Sequence, residues 1–513
     1  MICTFISRIL GFLRIFVVSL VFGGKGAADV INGVFNLPNN LRKLFAEGAL
    51  SSAFIPTLSG AVVEDPSGMR PRKITRNLIS FLLIILVPLV ALAVVFAGPL
   101  VHLLLHFDDP AKMRMAVDLF RWVFSYIFFI SISAVIMGAL NAKNSFIIPA
   151  ITPILFSICV IGSILLLYNS LGIFSLAAGI IAGGIAQVIF QLPVFLKKGY
   201  DLRPDFRLNN PDFRQILHKW GPALFSSTIF AVNQVIAIYL ASYLEDGSVT
   251  ALTNAVVFVQ LPLGIFSNSI VTVLFPHMSR QAAANDIRGL RESISYGMRF
   301  IMILLIPSAL LLIFMGNDII RMLLQYGKFR AADTQRTALV LGGYSLGLYS
   351  TGALYLFQRF FYSCKDFRSP AIVAVVIMVT DIVFSLLLMN TPLRVTGLAV
   401  ANSIAFTVGV GILLYLARRR LGRLDGKKIL VTGIKTVIAM VPLLAVIFCY
   451  LYLVRGMIHF PQLAFIYVIF VVFFICVLAM GVTALMYVLL KVDIFYDLVG
   501  RIFKRGKEEG HAN

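Results

Sequence analysis

The sequence predicts an all-α polytopic membrane protein of about fourteen transmembrane helices. These form two six-helix lobes in a parallel pseudo-twofold repeat, followed by two extra C-terminal helices. Three observations predict it. Of the 513 residues, 59% are hydrophobic and only 13% charged, and mean hydropathy is +0.94. Soluble chains carry about 25% charged residues. Apolar runs of about 20 residues, the length a helix needs to span a bilayer, recur from end to end. Sequence signatures also return at a shared offset. The short alternating segments of a transmembrane β-barrel are not seen.

The spans are expected near 2–22, 28–60, 77–105, 115–140, 147–168, 172–196, 218–244, 249–279, 292–315, 334–363, 370–389, 395–417, 429–454 and 462–490. The second is long, and Leu37-Pro38-Asn39-Asn40 is expected to interrupt it, because proline removes a helix hydrogen bond. The longest hydrophilic loop falls near 197–217.

Net charge is +21. In a soluble protein that balance would suggest nucleic acid. Here the cations concentrate in alternate loops, from Arg70, Arg72, Lys73 and Arg76 through Arg418, Arg419 and Arg420 to the basic tail. The other loops are cation-poor, apart from Arg321, Lys328 and Arg330. The positive-inside rule then places both termini in the cytoplasm, and no nucleic-acid partner is expected. Five scattered cysteines show no paired spacing and read as small core hydrophobes. The first span lacks a signal-peptide pattern and is expected to be retained.

The repeat is visible at several points. Phe146 and Pro149-Ala150-Ile151 match Phe367 and Pro370-Ala371-Ile372, and Lys197-Lys198 matches Arg418-Arg419, both 221 residues on. Leu37-Pro38 matches Leu261-Pro262. The offset covers six spans, an even number, so the two lobes share one orientation. The expected divisions are 1–215 (first lobe), 216–425 (second lobe), 426–490 (spans 13 and 14) and a basic cytoplasmic tail at 491–513.

Charged residues inside spans are costly, about 2.5–3.5 kcal/mol at the bilayer centre on insertion scales, so they mark candidate sites. Span 1 carries Arg8 and Arg14; span 2 carries Asp29, Arg42, Lys43 and Glu47. Arg8 and Arg14 are six apart and point roughly 120° apart. Arg8 either snorkels to the interface or lines a cavity. Lys43 and Glu47 stand at i, i+4 and could pair. Asp29 could line a site or simply mark the helix start. The surplus of positive charge in this set suits a phosphate or diphosphate, which guanidinium groups grip with paired N–H donors. In span 11 Asp381, flanked by Thr380 and Ser385 and with Asn402 of span 12 as a candidate facing residue, is either a cation or proton site or a hydrogen-bonded structural group.

No phosphate-cradling nucleotide loop, no zinc-binding His/Cys cluster and no large soluble domain is legible. The chain is not read as an enzyme, and no cofactor or metal is expected. A coupling monovalent cation, sodium or proton, or the membrane potential would supply the energy.

At this point the first 60 residues resemble a known family. Ser7-Arg8-Ile9-Leu10-Gly11-Phe12-Leu13-Arg14, Ala28-Asp29, Leu37-Pro38-Asn39, Leu41-Arg42, Phe45-Ala46-Glu47-Gly48-Ala49 and Ala53-Phe54-Ile55-Pro56 resemble the MurJ (MviN) family. That family comprises lipid II flippases of the multidrug/oligosaccharidyl-lipid/polysaccharide exporter superfamily. Later matches are Gly221-Pro222-Ala223, Gly247-Ser248-Val249 and Gln325-Tyr326-Gly327-Lys328-Phe329. The resemblance implies a peptidoglycan (cell wall, cell shape) role. The protein would carry undecaprenyl-pyrophosphate-linked precursor from the inner to the outer leaflet of the bacterial inner membrane by alternating access. It implies that Arg8, Arg14 and Arg42 handle substrate, that Asp29 and Glu47 stand at the family's acidic positions, and that spans 13 and 14 form a lipid-tail groove; Lys43 and Asn39 join them as candidate substrate-binding residues. Membrane lipids and cell-wall synthases are the expected neighbours. The chain departs from the family at Ile15, where an Asp is usual, at Val257, where a span-8 Arg is usual, and at Ala237, where some relatives have a sodium-site Asp. Two other readings stand beside this one. The first is a cation-coupled small-molecule exporter of the same architecture. The second is a non-transporting pseudo-flippase that organises wall synthesis.

Overall fold

Apolar runs of this length leave backbone N–H and C=O groups no partner in a bilayer except each other, which enforces helix. The computed structural model describes residues 2–45, 49–454 and 465–497, and every regular element among them is helical. The chain forms two compact units, Met1–Thr250 with Tyr326–Arg330, and Ala251–Gln325 with Ala331–Asn513.

The first unit holds α1 (Ile2–Phe22), α2 (Ala27–Phe45), α3 (Ala49–Glu64), α4 (Met69–Val95), α5 (Ala97–Leu104), α6 (Pro110–Phe124), α7 (Tyr126–Ala142), α8 (Ile147–Leu171), α9 (Phe174–Lys197) and α10 (Pro211–Ser242). Its core is an apolar cluster around Phe54, Leu58, Leu78, Ile136, Phe195 and Phe213, drawn from α3, α4, α7, α9 and α10. The chain then enters α11 (Ser248–Pro262), which continues through a π-helical turn at Leu263–Ser267 into α12 (Asn268–Ala283). The second unit continues with α13 (Ile287–Leu324), α14 (Ala331–Leu346), α15 (Leu348–Ser363), α16 (Arg368–Leu388), α17 (Val395–Leu421), α18 (Gly426–Cys449) and α19 (Phe465–Leu489). There α13, α18 and α19 share a cluster around Ile303, Met315, Leu443, Ile447 and Tyr487. Ten helices or continuous helix pairs among the described residues are long and apolar enough to cross a membrane.

The repeat extends to the backbone. Left-handed residues recur in matching order, Asn144 with Lys365, Gly172 with Arg394 and Gly199 with Gly422, spaced 221, 222 and 223 residues apart. The break between α6 and α7 at Ser125 recurs between α14 and α15 at Gly347.

Three expectations need correction. The helix does not stop at Leu37-Pro38-Asn39-Asn40: α2 runs through Pro38 to Phe45, and α3 begins at Ala49. Proline deletes one hydrogen bond, a loss that packed neighbours absorb in a membrane helix. The hydrophilic loop is shorter than expected, because Asn210 caps Asp212 N at 3.1 Å and Pro211 starts α10. Arg299 falls near a span end, where the sequence predicts that it snorkels; it is instead buried on α13 and paired with Asp493 at 2.5 Å.

The segment Tyr326–Arg330 folds with the first unit although the chain on both sides belongs to the second. Lys328 N donates to Leu20 O at 3.0 Å, and Tyr326 meets Phe16 edge-on at 5.7 Å. Gly23 and Gly327 both have positive φ (81° and 59°), and each faces backbone so closely that a Cβ would collide.

Candidate substrate site

α1 carries Arg8 and Arg14, about one and two-thirds turns apart. Arg8 is exposed and Arg14 half-buried. Arg14 Cζ lies over the ring of Phe156, 5.2 Å from its centroid, and its electrostatic neighbours are Tyr126 and Arg42. The structure therefore brings Arg14 of α1 and Arg42 of α2 into one field. Among the described residues no carboxylate comes within ion-pair distance of Arg14. On α2 the amphipathic turn is organised by short side-chain bonds. Arg42 Nε donates to Asn39 Oδ1 at 3.2 Å, and Asn40 Nδ2 donates to Asn36 Oδ1 at 2.8 Å. Asn39 thus orients Arg42. Lys43 lies in α2, but its side chain, like Glu47 altogether, lies outside the described residues, so their expected pairing does too.

Asp29 is set apart from these cations. It occupies the first turn of α2, thirteen residues before Arg42, or about 20 Å along the helix. Its carboxylate is buried and fully engaged. It accepts from Gly247 N at 2.7 Å, from Thr250 N at 2.9 Å and from Thr250 Oγ1 at 2.7 Å. Lys112 Nζ bridges Asp29 (3.1 Å) and Asp246 (2.5 Å), and Asp246 accepts in turn from Gly26 N at 3.0 Å. Burial raises the Asp246 carboxyl, but the Lys112 ammonium and the Gly26 N–H outweigh it and hold the group below its ordinary value. Sequence reasoning placed Asp29 correctly at the helix start and missed Lys112 and Asp246. Lys112 and Asp246 are charges at the edges of two apolar runs on the cation-poor side, and that was the signal that could have found them.

In the second unit Asp381, Ser385 and Asn402 do meet. Asn402 Nδ2 donates to Asp381 Oδ2 at 2.8 Å and Ser385 Oγ to Oδ1 at 3.3 Å, with Asp381 buried. Tyr344 is a further electrostatic neighbour.

Comparison with known proteins gives this geometry a family. The family model described as lipid II flippase MurJ matches residues 18–476. A probable lipid II flippase MurJ of Borreliella burgdorferi is 34% identical over 448 residues, covering 87% of this chain and 88% of that one. A Vibrio cholerae relative of the same description is 31% identical over 425 residues, 80% of each chain. Among solved structures, a lipid II flippase MurJ in an inward closed conformation superposes with a TM-score of 0.78 at 26% identity, covering 97% of this chain and 99% of that one. An inward-facing multidrug resistance MATE transporter of the MOP superfamily, at 15% identity and a TM-score of 0.66, shares the fold. On the family model and these relatives, the chain belongs to the lipid II flippase MurJ family.

Proposed function

We propose that the protein is a lipid II flippase, a transporter and not an enzyme, which moves polyprenyl-diphosphate-linked peptidoglycan precursor to the outer leaflet of the bacterial inner membrane. The observation that carries the reading is the half-buried Arg14 guanidinium, seated over the Phe156 ring with Arg42 as a like-charged neighbour, in a chain of this family. Two guanidinium groups sharing a field repel each other, and a diphosphate placed between them relieves the repulsion. Arg8, Lys43 and Glu47 are assigned to the same route, with Asn39 as the residue that aims Arg42. Substrate binding makes it less costly to close the protein around these charges, and alternating access then turns the site outward. Spans 13 and 14 receive the lipid tail. Both termini face the cytoplasm.

Energy comes from a coupling cation or from the membrane potential, which is worth about 2.3 kcal/mol per charge per 100 mV. Asp381, with Ser385 and Asn402, is the group on which a sodium ion or proton would act.

The test is complementation of a flippase-depleted bacterium, with lipid II translocation followed in the same cells. Wild-type protein restores growth and translocation. Arg14→Ala and Arg42→Ala insert normally and restore neither. Normal translocation by either variant would sink the scheme.

A further inference from the structure

The sequence alone singles out Arg14, but the structure shows what lies beneath it. Phe156 of α8 presents its ring face to the Arg14 guanidinium at 5.2 Å. That ring is itself held: its centroid is 5.3 Å from Tyr126, and Tyr126 lies 6.2 Å from Phe35 of α2. Behind the two inner rings runs α9, which offers Gly183 and Gly184 side by side. A Cβ at Gly183 would lie 2.7 Å from Phe156 Cδ2, and one at Gly184 would lie 3.0 Å from Tyr126 Cδ2. A larger residue at Gly183 would crowd Phe156, and one at Gly184 would press on Tyr126. Phe156 and Tyr126 are both buried, so they are unavailable as a binding surface of their own. Their consequence is what they do to Arg14.

A guanidinium lying over a ring face spends none of its five N–H donors on that contact. A carboxylate partner would orient the group equally well, but it would occupy two of those donors and cancel the charge. Phe156 therefore offers orientation without neutralisation.

We infer that Phe156 is a positioning residue for the substrate's diphosphate: seated on Gly183 and braced by Tyr126, it holds the Arg14 guanidinium in place while leaving its N–H edge and its charge available. The inference rests on the flippase reading above. It assigns Phe156, Tyr126 and Gly183 a role that no charged motif announces, and it predicts that an aromatic ring, rather than bulk, is what position 156 requires.

The experiment is a double-substitution cycle on the full-length protein in lipid nanodiscs, reading the dissociation constant for lipid II. Phe156→Leu keeps an apolar side chain without a ring face, and Phe156→Tyr keeps the face. Phe156→Leu should weaken binding about fivefold, the order expected for loss of a cation–π contact, and Phe156→Tyr should restore it to within about twofold of wild type. In the Arg14→Ala background Phe156→Leu should add nothing, since the residue acts only through Arg14. Melting temperature is read for each variant. An equal loss with and without Arg14, or no rescue by tyrosine at unchanged stability, overturns the inference. Failure of wild-type protein to bind lipid II would instead sink the flippase reading itself. If Phe156→Leu does not fold, Gly183→Ala, which pushes the ring from its seat, is read in the same cycle with the same two outcomes.

Discussion

Single residues decide what this molecule can hold. Arg14 and Arg42 share a field, and Asn39 and Phe156 fix how the two point. Lysine keeps the charge but loses the planar fork, so Arg42→Lys should bind lipid II more weakly than wild type, by about 1 kcal/mol or more, and should no longer respond to Asn39→Ala. Lipid II binding by Arg42→Lys and by the Asn39→Ala/Arg42→Lys double variant checks this. At Asp381 the expectation concerns stability. Asp381→Ala leaves Asn402 Nδ2 without its acceptor in a buried place, at a cost of about 1–3 kcal/mol, read as a lowered melting temperature in detergent. If Asp381 also carries the coupling cation, Asp381→Asn will keep most of that stability yet lose the sodium or proton dependence of transport. The charges were legible in the sequence because they are rare inside apolar runs. Their neighbours were not. Phe156 is one of 43 phenylalanines, and nothing in a one-dimensional chain sets it apart from the others.

At the level of elements, hydropathy located the helices well and their interruptions poorly. The breaks at Ser125 and Gly347 fall inside continuous apolar runs, where composition carries no mark. Pro38 misled in the other direction, since its helix continues to Phe45. The sequence marks the loop after α9 only as hydrophilic, yet it is tied down. Arg72 and Arg76 both pair with Asp201, Arg70 takes Asp212 with two bonds of 2.7 and 2.8 Å, and Asn77 donates to the carbonyls of Asp205 and Arg207. The bond from Arg76, joined by that from Arg72, prevails over burial and holds the Asp201 carboxyl well below the usual carboxylate range. The sign follows. A lowered carboxyl contributes stability that is fully present above about pH 4, the free aspartate value, and is lost as pH falls through the folded value. Asp201→Asn should therefore melt below wild type at pH 7, and the two curves should converge under strongly acidic conditions. The loop at Tyr326–Arg330 makes its own demand. Gly327→Ala forces a left-handed alanine against Leu20 O, so it should cost at least about 1 kcal/mol and expose the segment to protease.

For the whole molecule, the class was the easiest inference and the energetics the hardest. A chain that is 59% hydrophobic, with most of its charge in its loops, has few other ways to fold. What drives transport is not written in any motif. In proteoliposomes, a potential imposed across the membrane should change the rate of lipid II movement in wild type. Collapsing it with an ionophore should abolish that change. A rate indifferent to potential but dependent on sodium would place the driving force at Asp381 instead.

The paired bends at Asn144 and Lys365, and at Gly172 and Arg394, carry a lesson about history. In each case the two halves make the same corner with different residues, once with glycine and once with arginine, which adopts that conformation unwillingly. Matching corners at a near-constant spacing are what two halves copied from one unit would carry.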